Sequence, residues 1–125
     1  MSKIWIVDDD EEMIRAVRLM VRLLHHDTVV YSSALAAMQA LQEGERPEVM
    51  LLDIIMPRIS GLDLLRFMRQ HAAYAHIPVI ILSTEAAEIT VDKALALGAD
   101  AYVVKPVVLE ELQHAIEKAI SAHGA

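Results

Sequence analysis

At four places in this chain a short apolar run ends on residues able to hold a cation or a phosphate. Ile4-Trp5-Ile6-Val7 leads into Asp8-Asp9-Asp10-Glu11-Glu12, and Val49-Met50-Leu51-Leu52 stops at Asp53. Val79-Ile80-Ile81-Leu82 is followed by Ser83-Thr84-Glu85, and Ala101-Tyr102-Val103-Val104 by Lys105-Pro106. If these run ends share one rim, carboxylates, hydroxyls and one ammonium converge there. Two carboxylates ~4 Å apart repel by roughly 4 kcal/mol at an effective dielectric near 20, so a cluster of three asks for a cation. Hard oxygen donors with no histidine or cysteine beside them suit Mg²⁺ or Mn²⁺ rather than zinc. A carboxylate next to such a dication can attack phosphorus and become an acyl phosphate.

The acids divide by position. An acidic run that opens a helix complements the helix dipole, and Asp10, Glu11 and Glu12 are read that way. Asp8 and Asp9 are still attached to the strand end and are read as cation ligands. Asp53 is the sharpest single residue, because a carboxylate closing an apolar strand is costly unless paired or metal-bound. Lys105 precedes a proline, and a cis X-Pro bond, available at modest cost, would turn the chain and hold the ammonium over the carboxylates. Ser83 and Thr84 offer hydroxyls to a phosphoryl oxygen, although the same residues also serve as ordinary post-strand caps.

The elements that must position these residues follow from hydrophobic periodicity. Strands are expected at 4–7, 28–31, 49–52, 79–82 and 101–104. Helices are expected from about Glu11 to His25, from a Ser32 or Ser33 cap to Gln42, and from about Leu62 to His71. Two more are expected from Glu88 to Leu97 and from Leu109 to Ser121. Gly44 and Gly98 are the stops, and Pro57 and Gly61 punctuate the loop after Asp53. Continuous apolar strands alternating with helices imply an α/β fold with a five-stranded parallel sheet, doubly wound as (βα)5. In such sheets ligands sit beyond the carboxyl ends of the strands, where all four polar clusters fall.

Composition sets outer bounds. The 125 residues are 55% hydrophobic and 23% charged, which suits one globular domain over 1–125. Zero cysteines exclude a disulfide framework, a zinc–thiolate site and a cysteine nucleophile. No apolar run approaches the ~20 residues of a membrane span, and no signal peptide is visible, so the expected compartment is the cytoplasm, with no membrane partner. Eleven basic and 18 acidic residues give a net charge of −7, which argues against direct nucleic-acid binding. The six histidines show no ligand spacing and are read as solvated or helix-end residues. The seven methionines are read as core filler. Arg15, Arg18 and Arg22 form a solvated stripe, with docking of a partner kinase as the other reading.

Together these residues resemble the receiver domain of two-component response regulators, the chemotaxis regulators among them. The resemblance is carried over essentially the whole chain by Ile6-Val7-Asp8-Asp9-Asp10, Leu51-Leu52-Asp53-Ile54-Ile55-Met56-Pro57 with Gly61, Val79-Ile80-Ile81-Leu82-Ser83, and Gly98-Ala99-Asp100-Ala101-Tyr102-Val103-Val104-Lys105-Pro106. It implies the flavodoxin-like strand order 2-1-3-4-5. It implies that Asp53 accepts a phosphoryl group from a histidine kinase or phosphotransfer protein. Asp9 would ligate Mg²⁺ directly, with Asp8 helping through water, Asp53 itself, and the backbone carbonyl of Ile55 completing the set. Lys105 would pair with the phosphoryl oxygens, Ser83 would be the switch hydroxyl, and Tyr102 the aromatic that turns inward. Ile55, Thr84 and Glu85 would border the access route. Such a domain catalyses its own phosphorylation and dephosphorylation rather than turning over a separate substrate. Its output is a surface of the fourth helix, fifth strand and fifth helix that meets a downstream protein, and no effector domain is expected within the chain.

Two positions depart from the commoner pattern. Thr84 stands where a small residue is usual, and its bulk is expected to narrow access for small phosphodonors or water. Val107 stands where phenylalanine is frequent. Three other readings remain. A flavodoxin-like mononucleotide binder would need glycine- and hydroxyl-rich phosphate turns. A haloacid dehalogenase-type phosphatase would need a second aspartate where Ile55 stands. A receiver-like scaffold would not need the acid–lysine set at all.

Overall fold

The computed structural model describes residues 3–123. Five strands, β1 (Lys3–Val7), β2 (Asp27–Tyr31), β3 (Val49–Leu52), β4 (Val79–Ser83) and β5 (Ala101–Val104), form one parallel sheet in the order β2-β1-β3-β4-β5. Between and after them run α1 (Glu11–Leu23), α2 (Ala34–Gln42), α3 (Gly61–Gln70), α4 (Glu88–Ala96) and α5 (Leu109–His123). The doubly wound architecture and the strand order are those expected. The order reverses between β1 and β3, so the crevice where ligands gather in such sheets lies beyond Val7 and Leu52.

Strand periodicity divides the core in two. Trp5, Val7, Met50, Leu52 and Ile81 face α2, α3 and α4, where they meet Ala37, Leu41, Leu64, Leu65, Met68 and Ala94. Ile4, Ile6, Val49, Leu51, Ile80 and Leu82 face α1 and α5, against Val17, Val21, Leu112 and Ile116. Both faces of β1, β3 and β4 are therefore buried, which is why their sequences are unbroken apolar runs. Val107 is buried in the second of these cores.

Local capping sets the helix starts next to the site. Asp10 caps α1, its carboxylate accepting from the Glu12 and Met13 amides at 3.1 and 3.3 Å. Ser33 caps α2. Ser60 and Asp63 form a reciprocal capping box at the start of α3. The ends of α1 and β4 differ from expectation. α1 stops at Leu23, with His25 at φ 68, so the helix ends before the histidine pair. Ser83 is the last residue of β4 rather than the first of the loop, and its N–H and C=O thus belong to the sheet edge.

Candidate functional site

The carboxyl ends of β1, β3 and β5 bring Asp8, Asp9, Asp53 and Lys105 together. One oxygen from each of Asp8, Asp9 and Asp53 lies within 4.8 Å of the others, the only such group of potential metal-binding side chains among the described residues. Asp8 and Asp53 are 2% and 7% exposed, whereas Asp9 reaches solvent. All three donors are hard oxygens, a set matched to Mg²⁺ or Mn²⁺ and not to zinc.

Lys105 crosses 97 residues of sequence to donate to Asp8 Oδ2 at 2.9 Å, and it lies 3.8 Å from Asp53 Oδ1. The Lys105–Pro106 peptide is cis, and the Lys105 amide donates to the Ser83 carbonyl at 2.8 Å. The other Asp8 oxygen accepts from the Asp10 amide at 3.0 Å. Asp8 is therefore engaged at both oxygens, while Asp53 has only a distant ammonium and the Ile55 amide. Burial pushes the Asp53 carboxyl up to about 6, with Asp8 and Asp9 adding repulsion that Lys105 and the Ile55 amide only partly offset. Asp53 is thus a buried carboxylate short of positive charge.

Ser83 is fully buried at the end of β4, and its Oγ accepts from the Glu85 amide at 3.1 Å. Tyr102 on β5 is half-buried, and its hydroxyl donates to the Glu85 carbonyl at 2.6 Å. Burial raises its pKa and the neighbouring Ser83 hydroxyl works against that rise. Ser83, the Glu85 backbone and Tyr102 are therefore linked by hydrogen bonds at the mouth of the site. Thr84 and Glu85 are exposed in the loop before α4, and Ile55 is 57% exposed in the loop after β3. Asp10, Glu11 and Glu12 open α1 as cap and first-turn acids, the dipole role expected of them.

Sequence reasoning treated Gly61 as punctuation, and the structure gives it a position against the site. A Cβ built there would fall on the carbonyl oxygen of Asp53, and the Gly61 amide donates to the Ile54 carbonyl at 3.0 Å. The first turn of α3 is seated directly on the backbone that presents Asp53. Only a residue without a side chain permits that approach. The signal available in the sequence was the glycine eight positions after Asp53, just inside a serine-capped helix.

A second polar cluster lies at the other end of the sheet. Arg69 on α3 donates to the carbonyls of Gly98, Ala75 and Ile77 and to Asp100, and burial lowers its pKa. Gly98 ends α4 with φ +110, and an added Cβ would meet the Arg69 side chain at 2.9 to 3.1 Å.

Comparison with known proteins bears on this arrangement. A model of the response regulator receiver domain matches residues 4–117. A chemotaxis protein CheY homolog of Campylobacter jejuni is 31% identical over 127 residues, covering 98% of either chain. A crystal structure of a response regulator receiver domain protein from Clostridium thermocellum superposes with a TM-score of 0.87 at 27% identity, over 98% of this chain and 96% of that one. The Mn²⁺-bound form of response regulator Rcp1 matches with a TM-score of 0.80 at 26% identity, over 97% and 91% of the two chains.

Proposed function

The chain belongs to the response regulator receiver family, and from that premise we propose that it is an Mg²⁺-dependent phosphoacceptor in which Asp53 takes a phosphoryl group from the phosphohistidine of a histidine kinase or phosphotransfer protein. The observation that carries this reading is the Asp53 carboxylate itself. It is buried at a strand end, 3.8 Å from an ammonium and grouped with two further carboxylates.

The donor set suits the cation. Asp9 and Asp53 would hold it directly. Asp8, whose two oxygens are engaged, would act through water, and the backbone carbonyl of Ile55 would complete the protein ligands. The dication supplies charge neutralisation and orientation of the phosphoryl oxygens. Mn²⁺ would serve in the same place, and the similar response regulator Rcp1 has a Mn²⁺-bound form.

In the transfer, an Asp53 carboxylate oxygen attacks phosphorus as the N–P bond of phosphohistidine breaks. The electron pair returns to the imidazole nitrogen, which takes up a proton. Lys105 turns from Asp8 towards the transferred oxygens and pairs with them by a charge-assisted bond. Water attack on the acyl phosphate later returns Asp53 and inorganic phosphate, so the domain catalyses both its own phosphorylation and its own dephosphorylation. Ile55, Thr84 and Glu85 line the approach, and the Thr84 side chain limits how closely water or a small donor comes in.

The output is a change of surface. Ser83 donates to the phosphoryl oxygens, which withdraws it from Glu85 and Tyr102, and Tyr102 turns inward. The face built from α4, β5 and α5 holds a cavity of about 500 Å³ bordered by Val91, Leu95, Tyr102 and His114. That face would meet a downstream protein. No described helix is long and apolar enough to cross a membrane, and the reading places the domain in the cytoplasm, acting through protein contact and not by binding nucleic acid itself.

Incubation with Mg²⁺ and acetyl phosphate or phosphoramidate, followed by intact-mass measurement at neutral pH, tests the proposal. The wild type should gain one labile phosphoryl group, and Asp53→Ala none. Equal labelling of the two proteins would remove Asp53 from its role.

A further inference from the structure

The groove between α4 and α5 has an apolar floor and an acidic rim. Val91 and Leu95 on α4, Ala101, Tyr102 and Val103 on β5, and Ala115 on α5 border the cavity of about 500 Å³. Leu95 is 44% exposed along this hollow. Glu110 and Glu111 border it at the start of α5, and Lys118 does so in the later turns. On α4, Glu88 stands three residues before Val91 and Asp92 three before Leu95, the spacing that makes helix side chains neighbours. Lys93 is two residues from both Val91 and Leu95 and so points away, and Glu117 borders a different hollow beside Leu24 and His26.

Glu88, Asp92, Glu110 and Glu111 are exposed, and among the described residues none of them takes part in an ion pair. Both helices start at the carboxyl ends of the strands, so these acids gather towards the Asp53 end of the groove, with Lys118 at the other end. Four carboxylates against one ammonium leave the groove with a net charge of −3.

We propose that the occupant of this groove is a basic amphipathic helix of a downstream protein. Its aliphatic side chains sit on the Val91–Leu95–Tyr102 floor, and its lysines or arginines meet Glu88, Asp92, Glu110 and Glu111. This rests on the reading of the α4–β5–α5 face as the output surface and adds the chemistry of what that face accepts. A trough between two helices takes side chains spaced i, i+3, i+4 and i+7 from a third. β5, sunk between them, is four residues long with Ala101 and Val103 buried, a poor edge for an added strand. A second copy seated groove to groove would bring the same excess of acid and be repelled. A cationic partner is steered in by charge and held by apolar contact.

Fluorescence anisotropy with two labelled amphipathic peptides of about 14 residues tests this at low salt, where surface charges are least screened. Both peptides carry leucines at helical spacing in an alanine background. One has lysines beside the leucine stripe and the other glutamates. The wild type should bind the lysine peptide ~10-fold or more tightly than the glutamate peptide, as opposed rim charges require. A chain of net charge −7 attracts cations generally, so the deciding comparison is between two variants of equal charge. Glu110→Gln with Glu111→Gln should weaken lysine-peptide binding ~3- to 10-fold, the loss of two rim ion pairs. Glu43→Gln with Glu45→Gln removes the same charge beyond α2 and should weaken it by less than about 2-fold. Equal weakening by the two pairs, or no preference for the lysine peptide, overturns the proposal, as do peptide-induced amide shifts that miss Val91, Leu95 and Tyr102. Beryllofluoride forms a separate arm. Tighter lysine-peptide binding in its presence supports both the basic partner and the phosphate switch. A preference that is intact but unmoved by beryllofluoride supports the basic partner and counts only against the switch.

Discussion

Replacing Asp53 with asparagine should stabilise the metal-free protein at neutral pH while abolishing phosphorylation. The carboxyl is pushed from 3.8 up to about 6 by burial first and by Asp8 second. A tenfold change in proton affinity is worth ~1.36 kcal/mol, so the ionised form costs the fold roughly 3 kcal/mol. The folded pKa is raised, so the folded state binds the proton more tightly than the unfolded chain. This group's stabilising contribution is complete below about pH 4 and is lost as pH rises through 6. Asparagine resembles the neutral acid at every pH. The variant should therefore exceed the wild type by about 2–3 kcal/mol at pH 7.5 in EDTA and by little at pH 4. Urea unfolding is the assay, read from Trp5, the single tryptophan, which is 2% exposed and packed on Tyr31 at 4.6 Å. Saturating Mg²⁺ should close the gap at pH 7.5, because it compensates the ionised carboxylate of the wild type. A gap that is absent, reversed or unchanged between pH 4 and 7.5 would refute the view that Asp53 is held ionised against its surroundings.

Other substitutions separate the roles at this rim. Gly61→Ala forces a Cβ onto the Asp53 carbonyl, so the start of α3 must shift. A loss of about 2 kcal/mol or more in urea is expected, together with slower acetyl phosphate labelling, and a neutral result would mean the contact relaxes freely. Asp9→Ala should weaken Mg²⁺ binding in calorimetry, whereas Asp10→Ala should leave it near wild type and cost about 1 kcal/mol of stability as a lost helix cap. Equal Mg²⁺ affinity for Asp9→Ala and wild type contradicts the role given to Asp9. Ser83→Ala should still accept phosphate, but its beryllofluoride complex should show smaller amide shifts at Tyr102 and along α4 than the wild-type complex. Full-sized shifts would sink the Ser83–Tyr102 linkage.

What was legible in the sequence follows from which relations are local. A run such as Val49-Met50-Leu51-Leu52 can be buried on both faces only inside a parallel sheet, and such a sheet places all strand ends on one rim. Asp8, Asp9, Asp53 and Lys105 were therefore expected as neighbours, and their side chains meet there. Asp10 was legible as an acid opening α1, a relation decided within the first turn, and the structure adds that its carboxylate caps the helix. The Gly61 contact was not, since it depends on the angle at which α3 returns to β3, and hydrophobic spacing carries no information about that angle. The Arg69–Asp100–His123 cluster was hidden for a similar reason. Its members are 31 and 23 residues apart and lie on different elements, and a histidine at a helix end looks the same with or without a carboxylate across from it. The length of α1 was overestimated because Leu24 continues the apolar period, although His25 already has left-handed backbone.

The charges at the rim give a reason why, in the proposed mechanism, cation and phosphate would act in sequence. With Asp8, Asp9 and Asp53 ionised and Lys105 charged, three negative charges face one positive, a net of −2. A phosphoryl donor carrying about −1.5 to −2 would be repelled from that site. With one dication held by these carboxylates the rim would be neutral and approach would be permitted. Transfer would then replace the single charge of Asp53 with about −1.5 to −2 and leave the rim short of positive charge again. Two donors are placed to respond. Lys105 is closer to Asp8, at 2.9 Å, than to Asp53, at 3.8 Å, and has only to swing across. The Ser83 hydroxyl lies beside Tyr102 and accepts from the Glu85 amide, so redirecting it to phosphate breaks the link to the loop before α4. α4 buries only Ala94 and has no side-chain cap, which makes it the helix least able to resist that loss. On the proposed mechanism, the excess charge at Asp53 would thereby be converted into a movement of the weakest-held wall of the α4–β5–α5 face.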